Sequence, residues 1–136
     1  SRRIYAPTHL VFVATMYGMC APLVGSENLL RVHIAPLALR WVEVLLAKER
    51  RCVCNTGELL ELLSVLCILG IPHAAIQSRR EWLLGTYHLV ASAPAGTHSK
   101  RHPWYPRNPS LPYAFTDAHT CCVALHFLAL NSDLDS

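Results

Sequence analysis

Charge is what this chain has least of. Asp, Glu, Lys and Arg make up 15% of its residues, too few for a disordered polar tail or a solvated coiled coil. Lysine is nearly missing. Of 12 basic residues only Lys48 and Lys100 are lysine, and the others are Arg, which grips phosphate or carboxylate with a planar fork. The net charge of +3 is too small to establish nucleic-acid binding by itself. Only 9 carboxylates are present, so acid–base machinery is thinly supplied. No Gly-x-Ser-x-Gly, P-loop or Rossmann fingerprint occurs. These absences point away from an enzyme, and no catalytic residue and no cofactor is assigned.

What is abundant is apolar surface. Hydrophobic residues are 52% of 136, enough for one domain with a sizeable core that continues onto a partner or a lipid phase. The six Cys form no disulfide framework. Cys67, Cys121 and Cys122 lie inside apolar helical runs, where a free thiol acts as a small hydrophobe. A reducing intracellular compartment is expected. Ser1-Arg2-Arg3, with no acidic residue before Glu27, reads as the end of a removed organellar transit peptide or as the edge of an excerpt. Asp133-Leu134-Asp135-Ser136 reads as an excerpt's edge too. Mitochondrial localisation is the expectation.

The periodicity predicts an all-α chain. Pro7 and Thr8 mark the start of a first helix, with Thr8 as N-cap; Gly18, Pro22 and Gly25 end it. A second helix begins near Glu27, kinks at Pro36 and continues as an amphipathic stretch from Leu37 to Arg51. Asn55 and Glu58 have capping-box spacing for a third helix. Its polar stripe is Glu58, Glu61 and Ser64, and Gly70 with Pro72 stops it. A fourth spans Ala74 to Val90, exposing Gln77, Arg79, Arg80 and Glu81 and burying Ile76, Trp82, Leu83, Tyr87 and Leu89. Five prolines between residues 92 and 114 exclude a helix there. A last helix runs from Thr116-Asp117 to Asn131. The organisation expected is a helical pair over 8–51, a second over 56–91, a proline-rich arm over 92–114 and a final helix over 115–131.

Three apolar helix ends look alike: Val13 to Gly18, Val65 to Gly70 and His126 to Asn131. Each closes on Gly or Asn, the residues best suited to a left-handed cap. Repetition of this kind predicts antiparallel helical hairpins stacked in an α-solenoid-like way. The stretch from Gly57 to His73, through Leu59, Leu63, Leu66, Leu69 and Gly70, resembles the first helix of repeats in organellar RNA-processing proteins of the octotricopeptide and FAST-kinase-like kind. The resemblance covers about two repeat units and carries over no base-reading residues. It implies a mitochondrial or chloroplast RNA-binding scaffold within a ribonucleoprotein.

The arm carries the candidate contacts. Lys100, Arg101, His102, Trp104, Tyr105 and Arg107 stand together without an acidic neighbour. Cations attract phosphates, rings stack on unpaired bases, and proline keeps the strand extended. Arg79 and Arg80, with Arg50 and Arg51, are a second candidate basic surface near successive helix ends. The function expected is a non-catalytic structural or RNA-contacting subunit of a ribonucleoprotein, such as a mitochondrial ribosome or RNA-processing complex, with protein subunits and RNA as partners. An alternative is an accessory subunit of an organellar membrane complex, with residues 4–26, which carry no formal charge, in or on the bilayer. A third is a small Cys/His metal protein or enzyme. His119, Cys122 and His126 share one helix face, but the two His stand about 10.5 Å apart along the axis. Cys52 and Cys54 are closer together than zinc pairs usually are. No metal site is assigned.

Overall fold

A single helix, apolar on nearly every side, organises this protein. A computed structural model describes residues 2–15, 18, 26–49, 56–89, 104–106 and 118–132. The helices are α1 (Arg2–Ala14), α2 (Ser26–His33), α3 (Ala35–Glu49), α4 (Thr56–Ile68), α5 (Ala74–Thr86) and α6 (Ala118–Leu130). Two short strands, β1 (Tyr87–Leu89) and β2 (Trp104–Pro106), pair antiparallel. The fold is all-α with this one ribbon added.

α4 is the hub, touching α1, α3, α5 and α6. Leu59, Leu60, Leu62, Leu63, Val65 and Leu66 are all buried, a run that no single flat partner could cover. Its predicted polar stripe is buried as well. Glu61 and Ser64 lie inside, and only Glu58 keeps partial exposure. Ser64 can sit there because its hydroxyl donates to the Leu60 carbonyl at 2.7 Å, so no polar group is stranded.

The end of α4 follows the sequence closely. Gly70 has φ +70°. Its N–H donates to the Cys67 carbonyl at 3.1 Å, and the Ile71 N–H reaches back to the Leu66 carbonyl at 2.9 Å. This pair of bonds is a Schellman motif, and Pro72 follows it. α6 ends on Asn131 as expected, whose side-chain amide donates to the Phe127 carbonyl at 2.7 Å. A break or kink is expected at Pro36, and a break is found close by. α2 and α3 are one helical path interrupted at Ile34, which accepts from Ala38 and donates to Leu30.

Two boundaries differ from expectation. α1 begins at Arg2, and Pro7 lies inside it, so Thr8 is not an N-cap. Pro7 removes one backbone bond, but Thr8, Val11, Phe12 and Thr15 form one buried face of this helix, and that burial fixes the helical path. α5 stops at Thr86 instead of reaching Val90. Tyr87 is extended, at φ −125° and ψ 152°, because Tyr87–Leu89 pairs with β2 in the register Tyr87 to Pro106, His88 to Tyr105 and Leu89 to Trp104. The burial predicted for α5 holds at Ile76, Leu83 and Tyr87. It fails at Arg80, assigned to the exposed side and only 9% exposed.

α1, α4 and α6 run in one direction. Gly57 and Thr120 meet at the starts of α4 and α6. Phe12 and His126 meet midway, their rings 5.5 Å apart. At the far end a Cβ added to Gly18, which has φ +88°, would stand 2.8 Å from Leu130 Cδ2 and 3.0 Å from Ile68 Cγ1. The three similar helix ends therefore gather at one end of the molecule. The solenoid-like arrangement itself is not confirmed. Contacts radiate from α4, and α5 touches it only lightly, whereas solenoid repeats stack in a uniform line.

The span expected over residues 4–26 is not one helix, since α1 ends at Ala14 and α2 begins at Ser26. At 13 residues α1 is about 20 Å long, short of the roughly 30 Å of a bilayer core. Among the described residues no helix is long and apolar enough to cross a membrane.

Candidate functional site

The β-ribbon fixes the chain on either side of residues 90–103. Leu89 stands opposite Trp104, and residues 90–103 connect the two strands in sequence. Lys100, Arg101 and His102 fall in that connection, and Arg107 follows β2. These four lie outside the described residues, as do Arg50 and Arg51. Trp104 and Tyr105 are placed by backbone alone. From Trp82 to Thr116 the sequence holds no acidic residue, so no intervening carboxylate offsets these cations.

The second predicted basic surface is only partly on view. Arg79 lies half-buried with its guanidinium 4.9 Å from the centre of the Trp82 ring, a cation–π stack. Arg80 is buried. It packs into the domain and does not present an open face for phosphate.

The structure adds a basic groove that sequence reasoning missed. Leu37, Arg40, Trp41, Val44 and Lys48 on α3 line a depression of about 560 Å³. Their spacing of three and four residues puts them on one helix face, which was the available signal. On α2, Leu29 and Val32 are 61% and 64% exposed.

A third feature lies between α1, α4 and α6. His119, Cys122 and His126, predicted to share a face, line a cavity of about 430 Å³ together with His9, Phe12 and Glu61. The last three were not anticipated, because they arrive from other helices. His119 Nε2 lies 3.0 Å from Glu61 Oε1. The carboxylate can only accept, so the imidazole donates. The Glu61 side chain is 10% exposed and that of His119 71%. The Phe12 ring is met edge-on by His9 at 5.8 Å and by His126 at 5.5 Å. Among the described residues no group of three His, Cys, Asp or Glu is arranged to hold a metal ion.

At the C-terminal end of α4, Cys67 borders a separate depression of about 410 Å³ with His73 and Asn131. Burial pushes the Cys67 thiol up from its ordinary 9.0, opposed in part by the hydrogen bond to Asn131. A protonated, half-buried thiol is a poor nucleophile. His73 caps α5, its Nδ1 accepting from the Ala75 N–H at 3.0 Å, while its Nε2 faces Glu43 at 3.1 Å.

Comparison with protein-family models, with curated proteins and with solved structures finds no match to this chain.

Proposed function

We propose that this chain is a non-catalytic helical subunit that contacts RNA within a ribonucleoprotein, with a mitochondrial ribosome or RNA-processing complex as its setting. The observation that carries this reading is the β1–β2 pairing. It fixes both ends of residues 90–103, the segment whose sequence carries Lys100, Arg101 and His102. A segment held at both ends loses less freedom on binding than a free one. Cations beside Trp104 and Tyr105 suit single-stranded RNA, where backbone charge and base stacking act together.

The surface of the helices supports membership of an assembly. Val13 is 71% exposed, Val32 64% and Leu29 61%, and partner subunits would remove this apolar area from water. The α3 groove, with Arg40 and Lys48 flanking Trp41, offers further cations.

The test is fluorescence anisotropy with a labelled single-stranded RNA across a range of salt. The variant is Lys100→Ala/Arg101→Ala/Arg107→Ala. For single strands each phosphate contact contributes roughly 0.7 to the slope of log affinity against log salt, so the triple variant should flatten that slope by about 2. An unchanged slope, or no binding at low salt by the natural chain, would refute the proposal.

A further inference from the structure

We infer that the cavity between α1, α4 and α6 binds a small organic cation, a primary ammonium carried on an apolar body, against the carboxylate of Glu61. The argument begins with charge. Glu61 is the one carboxylate among the described residues that line the cavity, and none of those residues is Lys or Arg. Its carboxylate is nine-tenths buried, where a charge is poorly screened and an opposite charge is strongly attracted. One oxygen accepts from His119 at 3.0 Å. The same carboxylate lines the cavity wall.

The remaining walls fit the rest of such a ligand. An ammonium has three donors and no acceptor. Beyond Glu61, the imidazole rings of His9, His119 and His126 line the cavity. Phe12 and Val123 give an apolar lining for the ligand's body. A volume of about 430 Å³ lies within the range of small-molecule sites. An anion would face the Glu61 carboxylate, and a metal ion would lack a third ligand in place. Cys122 is exposed on this cavity, so its thiol reports occupancy. Cys67 borders the other depression and serves as an internal control.

The probe is 2-phenylethylamine, and 2-phenylethanol is its neutral counterpart. Each is added at millimolar concentration to the full chain at neutral pH. Labelling of Cys122 and Cys67 by methyl methanethiosulfonate is followed by peptide mass spectrometry. The amine should slow labelling of Cys122 about tenfold, as at a concentration well above its dissociation constant, and leave Cys67 unchanged. The alcohol should protect neither. Glu61→Gln should abolish protection by the amine. Equal protection by alcohol and amine, protection of Cys67 alongside Cys122, or no protection of Cys122 would overturn the inference. The comparison of amine with alcohol uses the natural chain, so the test stands whether or not Glu61→Gln folds.

Discussion

Two glycines show how the same substitution has different consequences at different places. Gly70 and Gly18 both have positive φ, at +70° and +88°, where a side chain is strained. Around Gly70 an added Cβ would meet nothing within 4 Å, whereas at Gly18 it would press on Leu130 and Ile68. Gly70→Ala should therefore cost about 1 kcal/mol, the conformational part alone. Gly18→Ala should cost more, about 1–3 kcal/mol, because the Leu130 and Ile68 side chains must also shift. Urea denaturation of both variants checks the order. Equal losses would mean that the α1 end does not approach α4 and α6 as described.

Cys67 gives a prediction in pH at the same scale. Its folded value is raised by burial above the ordinary 9.0. The folded state then holds the thiol proton more tightly than the unfolded state. This contribution is complete below pH 9 and is lost as pH rises from about 9 through the raised folded value. Stability of the natural chain should fall across that alkaline window more steeply than that of Cys67→Ala. Parallel curves in the two proteins would contradict the burial of this thiol. Glu61 shows why the residue scale was hard to read in sequence. Its position at three-residue intervals with Glu58 and Ser64 marks a solvated stripe, yet α1 and α6 cover it, and its partner His119 is 58 positions away. Nothing local encodes that meeting.

Elements were legible where their ends carry their own chemistry. Gly70 with Pro72, Asn131 and the break close to Pro36 each act through neighbouring backbone, and all three were readable. The start of α1 was not, because tertiary burial of Val11 and Phe12 outweighs the local signal of Pro7. That conflict makes a prediction. Pro7→Ala restores a backbone donor inside α1 and should raise stability by about 1–3 kcal/mol, measured by thermal or urea unfolding. No gain would mean that α1 does not run through Pro7. The β-ribbon was illegible for a different reason. Tyr87, His88 and Leu89 continue the periodicity of α5, and only pairing with Trp104–Pro106 makes them a strand. In α4, Leu63 is fully buried, and Leu63→Ala should cost about 2–5 kcal/mol through the cavity it leaves.

At the scale of the whole molecule, one buried helix with others around it leaves two kinds of outer surface. One is exposed apolar surface, at Val13 on α1 and at Leu29 and Val32 on α2. The other is the ribbon itself, whose strands flank an acid-free segment of the sequence. The candidate arm was legible in composition, since prolines, cations and rings without carboxylates stand out in any sequence. Its attachment was not, because it depends on strands 15 or more positions apart finding each other. The cavity around Glu61 was half legible. His119, Cys122 and His126 share a face by helical spacing, while His9 and Phe12 arrive only when α1 lies parallel to α6. Ultraviolet cross-linking of the full chain to single-stranded RNA, read by mass spectrometry of the joined peptides, bears most directly on the proposed function. The account predicts adducts concentrated between His98 and Arg107, at Trp104 and Tyr105 above all. Adducts confined to the helices, or none at low salt, would contradict it.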